Sequence, residues 1–362
     1  MEEKRPHLVL HFDVNKTLVM MDPAGGKGSV EEMISDLLSE IAYGTISDDG
    51  EWRPEPDHLG TTNTPPPDHP HRESLINYYD FLVRKFAADK PHRDRLRARF
   101  TEAGEPGAPF RPHYDTFLRA MRAAEWESAE PSVVDDDAAP AVPAPAPQYH
   151  YILPSFLHLL KHLKESGLYT FTLVFRTFGQ DLPHLTQHFD EFCEGKHPLY
   201  RGFVMDGSDG QPDYRIQHKT GQHGTFFRQG REKHETHLVL GLWDQVPNTT
   251  KLEEWEGNVS TLEFYEGNER VKKVLTGFDA IHDHIHIDQN EASAHAIFFD
   301  DNIHFNGSQP EWMNIVDLRD KESGAPLALR DHIGRHLVKV EPAEAIRDVE
   351  YYRRAVTACL VP

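Results

Sequence analysis

Two spacings of apolar residues, one continuous and one helical, divide this chain into strands and helices. His7 to Phe12 is a nearly unbroken apolar run, the pattern of a buried strand. Ser29 with Glu32 three residues on has the spacing of a capping box. Met33, Ile34, Leu37, Leu38 and Ile41 then recur at helical period until Gly44. Segments 74–88, 93–103 and 114–126 also read as helices. Beyond residue 149 the types alternate. A helix over 155–166 ends at Gly167, a strand covers 169–175 and a helix 182–193. A hairpin follows over 219–228, then strands over 238–243, 261–265, 296–299 and 312–318, and a helix over 343–360. Such alternation predicts an α/β fold with a doubly wound, mostly parallel sheet covered on both faces.

Two stretches interrupt the pattern. Residues 131–148 hold Asp135 to Asp137 and then alternating Ala and Pro, a linker with too little to bury to fold by itself. Asp57 to Pro70 reads as a long surface loop. The predicted layout is a core of residues 1–21 and 149–362, with residues 22–130 as a mostly helical insertion after the first strand.

Composition narrows the function classes. The 362 residues carry a formal net charge of −21, which argues against nucleic acid and against an anionic membrane surface. No apolar run approaches the roughly 18 residues of a membrane span, and the start is too briefly apolar for a secretion signal. Cys193 and Cys359 suggest no disulfide framework, so a cytoplasmic location is expected. Composition leaves the oligomeric state open.

Ligands of a doubly wound sheet bind outside the carboxyl ends of its strands. Three predicted strands end in reactive groups: Asp13 to Leu18, Arg176-Thr177-Phe178-Gly179, and Asp300-Asp301-Asn302. Bringing Asp13 near Asp300 and Asp301 is costly without a cation. A hard divalent ion, most simply Mg²⁺, resolves the repulsion.

Phe12-Asp13-Val14-Asn15-Lys16-Thr17-Leu18 resembles the first motif of the haloacid-dehalogenase (HAD) superfamily of hydrolases, Asp-x-Asp-x-Thr after an apolar strand. Thr177 is similar to its second motif and Asp300-Asp301 to its fourth; Lys272 or Lys273 stands in the order of the third. The resemblance implies a Rossmannoid core, with the insertion as a cap domain. It further implies a phosphatase acting on a small phosphorylated metabolite through an aspartyl phosphate on Asp13. Mg²⁺ would be held by the Asp13 carboxylate, the Asn15 backbone carbonyl, Asp300 and Asp301. Thr177 and the backbone N–H of Phe178 would bind phosphate oxygens beside Thr17 and Arg176, and Lys272 or Lys273 would balance charge.

One departure matters. The family's phosphatases carry a general acid–base Asp where this chain has Asn15, and an amide cannot exchange a proton with the leaving oxygen. Two other readings therefore stay open: a weak or inactive relative that binds a phosphorylated ligand or a protein partner, and a dehalogenase-type hydrolase. Other features read blandly. His282, His284 and His286 share one face if they form a strand, but read as an exposed edge or loop. His11 reads as a buried strand residue, Lys219 as a rival to Lys272 and Lys273, and the three Asn-x-Ser/Thr sequons as unmodified.

Overall fold

A computed structural model describes residues 5–22, 26–61, 64–122, 149–177, 181–215, 221–228, 236–240, 259–265, 284–287, 295–303, 317–320, 323 and 325–361. The first apolar run is strand β1 (His7–Asp13), buried along its whole length. The chain then forms α1 (Val30–Ile41), β2 (Ala42–Ile46), β3 (Trp52–Leu59), β4 (Ile76–Asn77), α2 (Tyr78–Lys85), α3 (Lys90–Ala98) and α4 (Arg111–Met121). It continues with α5 (Pro154–Ser166), β5 (Thr170–Thr177), α6 (Leu182–Cys193), β6 (Gly221–Arg228), β7 (Thr236–Leu240), β8 (Val259–Tyr265) and β9 (His284–Ile287). The last elements are β10 (His295–Asp300), β11 (Asp317–Asp320), β12 (Pro326–Leu327), β13 (Leu337–Lys339), α7 (Pro342–Arg347) and α8 (Tyr351–Cys359).

Seven strands form the main sheet in the order β13-β10-β1-β5-β8-β6-β7. The first four are parallel; β8, β6 and β7 extend the sheet through antiparallel pairs. The fold is α/β around a parallel four-stranded centre, and the expectation of a mostly parallel sheet holds for that centre only. A central parallel strand reads as unbroken apolar sequence because both its faces are covered, which is why β1 was legible.

Cover differs between the two faces. Phe12 stacks on Phe299 at 4.7 Å and meets Phe156 of α5 and Tyr352 of α8 edge-on at 4.8 and 5.8 Å. Phe175 meets Phe189 of α6 at 5.4 Å on the same face. The other side of β10 packs Phe298 with Ile303, Leu318 and Leu337, a small cluster that includes β11. Among the described residues the helices α5, α6 and α8 cover the face that carries Phe12 and Phe175, and the segments 241–258, 266–283 and 304–316 lie outside the described residues.

Residues 26–122 are less purely helical than predicted. Besides α1 to α4 they hold an antiparallel sheet ordered β3-β2-β4, and β3 takes the start of the expected loop 57–70. Alternation along 52–59 is broken by Pro54 and Pro56, so the strand carried no clear period. The predicted capping box is half-realised: Ser29 accepts from the Glu32 N–H at 3.2 Å, while Glu32 accepts from the Gly28 N–H at 3.1 Å. The segment leaves and rejoins the sheet at one place. Val19 bridges Ile152, and the Leu153 N–H donates to the Leu18 carbonyl at 2.8 Å. One continuous apolar core runs from the sheet into α1 and α4.

The expected C-terminal helix is two helices. Asp348 turns extended at φ −124°, and its Oδ1 accepts from the Glu350 N–H at 2.9 Å, a local bond that competes with helix continuation. The 131–148 linker, Lys219, His282 and the three sequon asparagines lie outside the described residues. His284 and His286 fall on β9, an edge strand of a small sheet ordered β12-β11-β9, in line with the edge reading. Among the described residues no helix is long and apolar enough to cross a membrane.

Candidate functional site

From β1 the chain reaches β5 on one side, while β10 lies on the other. Strand order reverses between β1 and β10, the position at which open α/β sheets bind their ligands. Asp13 ends β1 and Asp300 ends β10, with Asp301 next in sequence; all three are buried. One carboxylate oxygen from each lies within 4.8 Å of the other two.

A hydrogen-bonded frame holds these acids. Thr17, fully buried, accepts from the Asp301 N–H at 3.2 Å across 284 positions of sequence. The Thr17 carbonyl accepts in turn from the Tyr352 hydroxyl of α8. Asp300 accepts from the Asn302 N–H at 2.7 Å, and the Asn302 amide donates to Asp301 at 3.1 Å. Thr17 thus ties the loop after β1 to the loop after β10, and its hydroxyl also bonds Asp13.

Three carboxylates in so small a buried volume disfavour their own ionisation. Burial first, then the charges of Asp300 and Asp301, push Asp13 well above the usual carboxylate range. Burial and the Asp300 charge push Asp301 up to about 8. Such a donor set, all hard oxygen and strained by its own charge, fits a divalent cation of the magnesium or calcium type.

A second charged cluster abuts the first. Lys16, between Asn15 and Thr17, is the one non-glycine residue with positive φ among the described residues, at 61°. Its ammonium pairs with Glu40 at 2.6 Å and Asp36 at 3.2 Å, both on α1. Asp36 Oδ2 also receives Lys27 at 2.6 Å and Arg97 of α3 at 2.8 Å. Arg97 further binds Glu40 and Ser39 Oγ, and lies over the Tyr79 ring at 4.3 Å. Burial alone would pull Lys16 down, but Glu40 and Asp36 more than offset it and its pKa is raised. Burial likewise acts to raise Asp36, yet Lys16, Arg97 and Lys27 hold it at about 2. Sequence reading missed this cluster. Its trace was Asp36 and Glu40 on the face of α1 that also carries Met33 and Leu37, a place where an acid needs partners.

The remaining predicted residues are placed unevenly. Sheet register puts Arg176 beside Asp13, with Thr177 one residue beyond. Asn15 is half-buried, and its amide donates to the Met21 carbonyl at 2.8 Å, closing the turn that leads toward α1. Phe178, Lys272 and Lys273 lie outside the described residues. In comparisons with known proteins, no family model, curated protein or solved structure matches this chain.

Proposed function

We propose that this chain is a HAD-like, Mg²⁺-dependent phosphohydrolase or phosphoryl-transfer enzyme acting on a small phosphorylated metabolite. The observation that carries the reading is the meeting of Asp13 with Asp300 and Asp301 at the reversal of strand order. Asp13 is the nucleophile: its carboxylate oxygen bonds to phosphorus as the ester oxygen leaves, and water later cleaves the aspartyl phosphate. Asp13, Asp300, Asp301 and the Asn15 carbonyl would hold Mg²⁺, which would supply charge neutralisation for the phosphate. Thr17 orients the Asp13 and Asp301 loops together. Residues 26–122 are read as the cap, docked against Lys16 through Asp36 and Glu40. The test is a phosphatase screen over a panel of metabolite phosphates, with Mg²⁺ and with chelator. Activity on none of them would end the enzymatic reading.

One observation favours a second reading, a binder of phosphorylated ligands. Asn15 cannot exchange a proton, and its amide is engaged by the Met21 carbonyl. Asn15→Asp separates the two. Leaving-group protonation by a positioned acid is worth about 10²–10⁴ in rate. The carboxylate must first turn from the Met21 carbonyl, so a gain of about 10- to 10³-fold is expected, larger on an alkyl than on an aryl phosphate. Steady-state kinetics at saturating Mg²⁺ reads it. A folded, Mg²⁺-loaded variant with no gain on any phosphate ester would favour the binder.

Proton linkage offers a check independent of turnover. The folded pKa of Asp301 lies near 8, above its unfolded value, so the folded chain binds more protons between those limits. Without metal, stability must then fall as pH rises toward 8. Half-buried His197 and buried His336, each held at about 4, have the opposite slope but only below about 6.5. Between pH 6.5 and 8, chelated protein should lose about 1–2 kcal/mol of stability. Millimolar Mg²⁺ should restore it more at pH 8 than at 6.5, because the ligands must be deprotonated to bind. Denaturant melts at the two pH values decide; a metal-free stability flat or rising over this interval contradicts the buried cluster.

A further inference from the structure

Sheet register lines up four residues across the carboxyl ends of the parallel strands. Asp300 pairs with Lys339 of β13, and Asp13 pairs with Arg176 of β5. Phe12 pairs with Phe299, so Asp13 and Asp300 are the next rung. Paired residues of neighbouring parallel strands project from the same face. Lys339 therefore stands on the side of the sheet where Asp13 and Asp300 meet. Lys339 is half-buried, and its ammonium interacts with the charges of Glu341 at the start of α7, Asp301 after β10, and Glu40 of α1.

Charge counting shows why that position matters. Three carboxylates, a divalent cation and a phosphate monoester near −2 sum to about −3. Lys16 sits closest in sequence to Asp13, but Asp36 and Glu40 hold it on α1 at 3.2 and 2.6 Å. Lys339 is a second ammonium that interacts with Asp301.

Resting on the phosphoryl-transfer reading above, we propose that Lys339 faces the phosphate of the substrate and tempers the charge of the acidic cluster. It does from β13, after the Asp300-Asp301 pair, what the sequence resemblance assigned to Lys272 or Lys273 before it. A cation so placed repels a divalent ion and attracts an oxyanion at one site. Removing it must therefore shift the two affinities in opposite directions, whereas a lysine that only braces the fold would weaken both.

The experiment is calorimetric titration of the full chain, first with Mg²⁺ alone and then with inorganic phosphate at saturating Mg²⁺. Lys339→Met keeps the stem and removes the charge; Lys339→Gln is a second neutral variant should the first not fold. Both should bind Mg²⁺ about threefold to thirtyfold more tightly and phosphate about tenfold or more weakly, as a unit charge several ångströms away demands. Lys339→Arg should return both affinities toward wild type. Wild type that binds both probes, with neutral variants that change neither, weaken both or shift only one, overturns the role of Lys339 alone. Wild type that binds no Mg²⁺ overturns the parent reading, and this assignment with it.

Discussion

Asp13→Asn should abolish phosphate-ester turnover, by about four orders of magnitude or more, while leaving the protein folded. The loss follows from chemistry: an amide oxygen does not form the aspartyl phosphate, and single replacements of a nucleophile remove nearly the whole effect of a catalytic group. Retained folding follows from electrostatics. Asp13 is buried against Asp300 and Asp301, which makes its charge unfavourable in metal-free protein. Asn has nearly the same shape without that charge. Chelated Asp13→Asn should therefore melt at or above the wild-type temperature, and Mg²⁺ should stabilise it less than wild type. Turnover on the best substrate of the panel, with paired melts in chelator and in Mg²⁺, reads all three outcomes. Residual activity within tenfold of wild type would remove Asp13 from the nucleophile's role. A chelated variant far less stable than wild type would contradict the reading of the cluster as self-repelling.

Asp36→Ala should cost about 3–5 kcal/mol, the usual consequence of removing one partner from a buried ion pair. For a chain of this size that is a drop of roughly 4–7 °C in melting temperature. Asp36 is 1% exposed, and its Oδ2 alone meets Lys16, Lys27 and Arg97. Its removal leaves Glu40 as the acid facing both Lys16 and Arg97. Lys16 and Lys27 retain some solvent access, which places the cost below that of a sealed site. Asp36→Asn keeps the volume and removes the charge, so it separates electrostatics from the cavity; most of the loss should remain. The network also spans the loop after β1 and helices α1 and α3. Limited proteolysis of the Ala variant should therefore cut first within residues 26–122. Melts within about 1 °C of wild type in both variants would show that the cluster does not tie α1 to the site.

Much of the site was legible before any coordinates. Asp13 and Asp300 end apolar runs, and a carboxylate there is conspicuous because the preceding residues must be buried on both faces of a sheet. Thr17 carried the same information by spacing. The placement of Lys339 and Lys16 was not legible. A lysine closing a three-residue strand looks like any solvated lysine, and only the register opposite Asp300 shows its neighbours. The split of the last helix at Asp348 and the strand character of 52–59 were hidden for a related reason. A side-chain bond to the backbone and strand pairing across distant sequence leave no period to read.

Taken by itself, the sequence determined the strand and helix types around the site, the chemical nature of its acids and the absence of an acid at Asn15. Those are local facts, written in apolar period and residue identity. Tertiary structure alone decided that β10 rather than β5 lies on the acidic side of β1, bringing Asp300 and Asp301 to Asp13. It also decided that Lys16 is held by α1, and that Lys339 enters the row from the sheet's far edge. Strand order is set by which pairing buries the most apolar surface over the whole chain, and no window of sequence contains that sum.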